Sequence, residues 1–186
     1  MTASVLTGCS PRPIVVGFQG PLTGTAADLG VQGRNGALLA VEAINAAGGV
    51  GGRALQLAPR DDRNDRAVAI ELVQEFRDER IEVVVGPMTS VAGVAVAERV
   101  SQAGPLYISP TVSTAEVSDR DDFFFRIQGA TDRPAWVLGR FAAAELGTER
   151  VAVVADRDNA EYSQTYLEAF SRGVAAAGGE VASAET

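Results

Sequence analysis

The sequence predicts an α/β protein built on a doubly wound parallel sheet. Short β-branched runs such as Ile14-Val15-Val16 and Val83-Val84-Val85 recur along the chain, as strands buried on both faces require. Segments with apolar residues at helical spacing alternate with them. Gly/Pro turns follow the strands directly, in Gly20-Pro21-Leu22-Thr23-Gly24 and in Gly86-Pro87-Met88-Thr89-Ser90. Strand and helix in strict alternation give a parallel sheet with helices on its faces. Ligands of such sheets bind outside the carboxyl ends of the strands, where this chain places small polar residues and free backbone N–H groups. The sequence therefore points to a small-molecule site.

The elements follow in order. Ile14–Gln19 is the first strand. A helix runs from about Gly30 to Ala47, with Ala37, Leu38, Ala40, Val41 and Ile44 on one face and Gly48-Gly49 ending it. Ala54–Ala58 is the second strand. Asp65 is placed to cap a helix over about 66–77, with Ile70, Val73 and Phe76 inward. Val83–Val85 is the third strand, and Thr89 or Ser90 caps a helix to about Ala103 in which Ala92, Val96 and Val100 recur every fourth residue. Leu106–Ser109 is a strand, 110–118 a loop with one helical turn, and 123–127 a further strand. Pro134–Leu146 is helical, with Pro134 in its first turn, and Trp136, Leu138 and Phe141 read as core or as the crossover to a further unit. Val151–Ala155 is a strand, Ala160–Ala177 a helix ended by Gly178-Gly179, and a last strand starts at Glu180.

Composition narrows the function. The chain has 186 residues, 46% of them apolar, and a net charge of −8, which argues against nucleic acid or an anionic membrane surface as partner. All 16 basic residues are Arg, and His is absent. Ser/His/Asp and Cys/His catalysis are thereby excluded within the chain. The single Cys, Cys9, excludes an intrachain disulfide and a thiolate metal site. No apolar run approaches the roughly 18–20 residues of a membrane span. Asp61, Asp62 and Asp65 lack the glycine and terminal Glu of a calcium loop and read as a strand-end and cap cluster. Gly17 and Gly20 do not make a dinucleotide fingerprint. Neither a metal nor a cofactor is expected.

Residues 1–13 form an N-terminal tail. Leu6-Thr7-Gly8-Cys9 resembles a bacterial lipobox, which makes Cys9 a candidate lipidation site. Only eight residues precede it, without the basic and apolar regions of a secretory signal. The alternative is a plain tail with a stray Cys. At the other end a strand starts and the chain stops, so the sequence is expected to be a fragment or a truncated reading frame.

The chain resembles the type I periplasmic substrate-binding proteins of ABC transporters, in the branched-chain amino acid (Leu/Ile/Val) group. The matching pieces are residues 14–17 with Gly20-Pro21-Leu22-Thr23-Gly24, then Gly36-Ala37 with the run 43–52. Val85-Gly86-Pro87 with Ser90, Ile108-Ser109-Pro110 with Ser113 and Thr114, and Phe124-Phe125-Arg126 complete the set. Each is short, but their order and spacing over about residues 14–180 are specific. The resemblance implies a two-lobed clamp closing on a ligand. Residues 14–133 would supply most of lobe one, and 134–186 the crossover helix and the beginning of a truncated lobe two.

The resemblance also implies a ligand set. Ser90, at a helix N-terminus, would donate to an amino acid's carboxylate, which the helix dipole favours. Ser113 aligns with a residue that contacts the same groups, with Thr114 beside it. Thr111 stands where the family offers a backbone carbonyl to the ammonium. Tyr162 aligns with a lobe-two residue that covers the ligand. Leu29 departs from the pattern, since closer members place an aromatic residue there. Plainer roles stand beside each: Ser90 as an N-cap, Ser113 and Thr114 as turn residues, Tyr162 as helix packing.

Three functions compete. The leading expectation is a solute-binding protein, in the periplasm or at the outer face of the cytoplasmic membrane, which binds an amino acid or related polar solute and delivers it to ABC permease components. The second is a sensor domain of the same fold that binds an amide, urea or aromatic acid and controls a signalling partner; gene neighbours would separate the two. The third is an enzyme, disfavoured by the absent His, nucleophile elbow and cofactor fingerprint. A lobe lacking its returning segment would expose apolar surface, so self-association of the isolated chain is also expected.

Overall fold

A computed structural model describes residues 12–185. Cys9 and its lipobox-like run lie outside the described residues. The chain runs β1 (Ile14–Gly20), α1 (Ala27–Ala46), β2 (Leu55–Asp61), α2 (Arg66–Asp78), β3 (Val83–Val85), α3 (Ser90–Arg99), β4 (Leu106–Ser109), a 3-10 turn (Ala115–Val117), β5 (Phe124–Arg126), α4 (Asp132–Ala144), β6 (Arg150–Val154), α5 (Ala160–Ala176) and β7 (Glu180–Glu185). Strands β1 to β5 form one sheet in the order β2-β1-β3-β4-β5, and β6 and β7 form a second. Every strand pairing is parallel.

The strand order sets the layers. The chain steps outward from β1 to β2, then reverses across β1 to β3, β4 and β5. Right-handed crossovers then put α1 on one face and α2 with α3 on the other. The reversal leaves a switch point between β1 and β3, where ligands of open sheets bind. The core sits under α2 and α3: Ala69, Leu72, Val73 and Phe76 meet Val84, Val96, Val100, Tyr107 and Phe124. On the other face α1 lies over an open groove of about 710 Å³, whose walls include Val16, Leu57, Val85, Met88 and Ile127. Apolar sheet surface is therefore exposed on the α1 side.

Several boundaries differ from the sequence reading for local reasons. β2 continues through Pro59 to Asp61 and stays paired with β1 along its length. β2 is an edge strand, where a residue without an N–H is tolerated. In α2 the inward positions are Ala69, Leu72, Val73 and Phe76. Ile70 lies off that stripe and is 37% exposed. Leu38 does not line the groove, whereas Ala37, Ala40, Val41 and Ile44 do, Ile44 being as exposed as Leu38. Asp65 caps α2 as expected, accepting from the N–H groups of Ala67 and Val68.

Of the two roles expected for Leu138 and Phe141, core or crossover, core does not hold: each is nearly half exposed. Residues 135 and 139 of α4, an alanine and a glycine, are buried instead. They meet the α5 face that carries Ala169, Gly173 and Val174. A Cβ on Gly139 would lie 2.2 Å from the Phe170 carbonyl oxygen, and one on Gly173 would lie 2.1 Å from that of Trp136. The two helices thus cross backbone to backbone, closer than any side chain allows.

Candidate functional site

The site begins where β3 ends. Gly86 has φ +125°, and a Cβ there would lie 2.0 Å from the carbonyl oxygen of Gln19, so only glycine lets the β3 exit pass the end of β1. Thr89 is the N-cap of α3: extended, with Oγ1 accepting the Ala92 N–H at 3.4 Å. That leaves Ser90 as the first helical residue, buried, with its hydroxyl released from capping. Ser90 Oγ accepts the Ser113 N–H at 3.5 Å, and the Ser90 N–H donates to Asn159 Oδ1 at 3.1 Å.

Ser113 is held from its other side as well. Its carbonyl accepts the Thr131 N–H at 3.0 Å and the Thr131 hydroxyl at 3.2 Å. Thr114 is fully buried, accepts the Glu116 N–H at 3.3 Å, and shares a hydrogen bond with Thr165 of α5 at 2.9 Å. Ser90, Ser113 and Thr114 therefore lie along one seam between the five-stranded sheet and the segment that follows β6.

The other expected residues sit elsewhere. Thr111 donates its hydroxyl to the Met88 carbonyl at 2.5 Å and lines the α1-side groove. Leu29 lines both that groove and a cavity at the seam. Tyr162 is half-buried in α5, its ring centroid 6.1 Å from that of Tyr166, and it is not among the residues lining the cavity.

The seam cavity measures about 410 Å³ and is lined by Thr25, Ala26, Asp28, Leu29, Asn64, Thr89, Asp156, Asp158 and Asn159. Three further contacts join the two sides of the seam around it. Thr25 Oγ1 donates to Asp158 Oδ2 at 2.9 Å, Asn64 Nδ2 donates to the Asp158 carbonyl at 2.6 Å, and Arg66 pairs with Glu161. Asn64 Oδ1 is buried without a hydrogen-bond partner. Sequence reasoning did not single out Asp28, Asn64, Asp156, Asp158 or Asn159. The run 156–159 directly follows β6, so the strand-end rule that found Ser90 could have found it.

Behind the seam lies a buried polar cluster. Asp61 ties the loops after β1 and β2 together, accepting from the Leu22 N–H at 2.7 Å, the Thr23 hydroxyl at 2.6 Å and the Arg63 N–H at 2.9 Å. Burial pushes its carboxyl upward, but these hydrogen bonds outweigh burial and leave it below the ordinary value. Asp62 is fully buried; its Oδ1 accepts the Asn64 N–H at 3.0 Å and its Oδ2 has no partner. Burial raises its carboxyl to about 6, against the opposing effect of Asn64 and Gln19. Gln19 in turn accepts the Tyr107 hydroxyl at 2.8 Å and donates to the Ala69 carbonyl at 3.3 Å. Among the described residues no group of three or more His, Cys, Asp or Glu is arranged to hold a metal ion. No helix among them is long and apolar enough to cross a membrane.

A family model described as periplasmic binding protein matches residues 13–186. The Leu/Ile/Val-binding protein BraC3 of Rhizobium johnstonii is 30% identical over 184 residues, covering 96% of this chain and 50% of that protein. The leucine-, isoleucine-, valine-, threonine- and alanine-binding protein of Pseudomonas aeruginosa is 31% identical over 145 residues, covering 77% of this chain and 39% of that one. Among solved structures, the branched-chain amino acid transporter substrate-binding protein LivJ of Streptococcus pneumoniae, in complex with isoleucine, superimposes with a TM-score of 0.81 at 26% identity, over 94% of this chain and 49% of its own. The chain spans about half the length, or less, of the curated relatives it matches.

Proposed function

Because the chain belongs to the periplasmic binding protein family, we propose that it captures an amino acid, or a related small polar solute, outside the cytoplasm for an ABC importer. Residues 14–133 would form one lobe, and 134–186 the crossover and the start of the second. Cys9 would anchor the protein at the outer face of the membrane. The activity is binding without chemistry, and lobe closure is the signal the permease components recognise.

One observation carries this reading: the carboxyl-end loops of both sheets converge on the N-terminus of α3. Ser90 and Ser113 come from one side and Asn159 from the other. The first-turn N–H groups at a helix N-terminus favour an anionic acceptor. Here the Ser90 N–H is met by a neutral carbonyl oxygen, the position a ligand carboxylate oxygen would take. Ser113 lies beside that position through Ser90 Oγ, with Thr114 next to it, and Leu29 walls the adjoining cavity, whereas Thr111 and Tyr162 lie apart from it.

Thermal unfolding of the full chain with a panel of amino acids, urea, short amides and aromatic acids tests the proposal. Stabilisation by amino acids of at least several degrees, as mass action gives for a ligand well above its Kd, is the expected result. A folded sample that none of them stabilises would overturn it.

A further inference from the structure

Resting on the reading of the two sheets as halves of a clamp, we propose that Asp62 is a positioning residue of the seam, and that closing the seam on a solute takes up a proton from solvent at its carboxyl.

The turn that follows Asp62 reaches across the seam. Arg63 and Asn64 both adopt left-handed backbone, with φ 53° and 58°, a conformation that is costly outside glycine. Two carboxylates hold it. The Arg63 N–H donates to Asp61 Oδ1 at 2.9 Å, and the Asn64 N–H donates to Asp62 Oδ1 at 3.0 Å. So held, Asn64 donates from Nδ2 to the Asp158 carbonyl at 2.6 Å, and Arg66 pairs with Glu161. The turn is strained where it grips the segment after β6, and Asp62 sets the place of the gripping side chain.

The closed seam also strands polar atoms. Among the described residues, the buried side-chain atoms without a hydrogen-bond partner are Asp62 Oδ2, Asn64 Oδ1 and Glu161 Oε2. All are oxygens, and all lie in the stretches that meet here. Asp62 is wholly buried, and no described cation pairs with it. Gln19 of β1 and Asn64 are neutral, burial keeps the proton on Tyr107 of β4, and Asp61 is a like charge. On the α2 side Asp65 turns to the Ala67 and Val68 N–H groups, Arg66 to Glu161, and Arg77 to the Ala103 carbonyl, while Arg63 is exposed. These surroundings raise the Asp62 carboxyl to about 6. A proton on Oδ2 removes the buried charge and makes a donor, and the orphan two residues on, Asn64 Oδ1, is an acceptor. Parting the seam frees Asn64 from Asp158, relaxes the turn and lets water reach the carboxyl, which then ionises at its ordinary value. Closure and protonation therefore favour each other.

The test follows the carboxyl carbon shift of Asp62 by NMR against pH, in the full chain and in Thr25→Val/Arg66→Ala. That variant removes two contacts across the seam and none to Asp62. The midpoint is expected near 6 in the wild type and clearly lower, toward 3.8, in the variant. Equal midpoints would overturn the proposal, since burial on one side of the seam would then suffice. Calorimetry with L-leucine at about pH 5, in two buffers of different ionisation enthalpy, should show uptake of about 0.8 proton per leucine, with binding about tenfold tighter than at about pH 7.5. Asp62→Asn, checked by its melting temperature, should bind leucine without proton uptake and without that pH dependence. Leucine binding to the wild type with no proton uptake would overturn the proposal and leave a solute-binding protein standing. If the Asp62 midpoint follows the seam but no amino acid binds, the solute-binding reading falls and the coupling of Asp62 to the seam stands.

Discussion

The side-chain oxygen of Asn159 accepts the backbone N–H of Ser90 at 3.1 Å. A residue that follows β6 thus completes the first turn of α3, which belongs to the other sheet and lies 69 positions earlier in the chain. The contact is one of several across this seam, with Thr25 to Asp158 and Thr114 to Thr165.

Replacing Asn159 with Ala removes that acceptor. The Ser90 amide should then exchange with solvent at least about tenfold faster, and stability should fall by about 1 kcal/mol, the usual worth of one such bond. Asn159→Asp keeps an acceptor and adds a charge the helix terminus favours, so its Ser90 amide should stay protected. Hydrogen exchange followed by NMR reads both; equal protection in all three proteins would show that the bond contributes nothing.

Asp62 makes stability pH-dependent. Its carboxyl is raised by burial from 3.8 to about 6, so between these values the folded chain binds more protons than the unfolded one. The contribution is fully present below 3.8 and is lost as pH rises through about 6. The difference amounts to about 3 kcal/mol. Chemical denaturation across this range, compared with Asp62→Asn, should show the wild type losing ground to the variant as pH rises. A pH-independent gap between the two would refute the assignment.

The α4–α5 crossing leaves no room for a methyl group. Gly139→Ala and Gly173→Ala each place a Cβ about 2 Å from a backbone carbonyl oxygen. Each should cost about 2–3 kcal/mol, in the upper range for overpacking. The double variant should cost less than the sum, because one separation of the helices relieves both clashes. Urea denaturation of the three proteins measures this.

Asp65 Oδ1 accepts the N–H groups of Ala67 at 2.7 Å and Val68 at 3.1 Å. Asp65→Ala should cost about 1 kcal/mol, and Asp65→Ser should recover most of it. Thermal melts of both variants would show whether the cap acts as the geometry requires.

The fold was legible because its signals are local. Val83–Val85, the glycines after α1 and the Asp65 cap each follow from a few adjacent residues. The misreadings arose where a neighbour in space decides. Leu138 and Phe141 have the size of core residues, yet α4 turns its alanine and glycine toward α5 because that partner's backbone comes so close. Ile70 satisfies helical spacing by eye but lies one position off the buried stripe. At the site, Ser90 and Ser113 stood out because a strand end and a helix start mark them. Asn159 and Asn64 did not, since their roles exist only once the two sheets meet.

Thr131 is fastened twice to the carbonyl of Ser113, immediately before α4 begins. The fastening makes that point a fulcrum. α4 extends 13 residues from it, about 20 Å, so a tilt of roughly 10° about the fulcrum sweeps the far end of α4 through about 3 Å. Ser113 and Ser90 would scarcely move. Large displacements on the outside of the molecule can therefore accompany little movement at Ser113 itself, while α5, packed backbone to backbone on α4, would carry Asn159 and Thr165 with the swing.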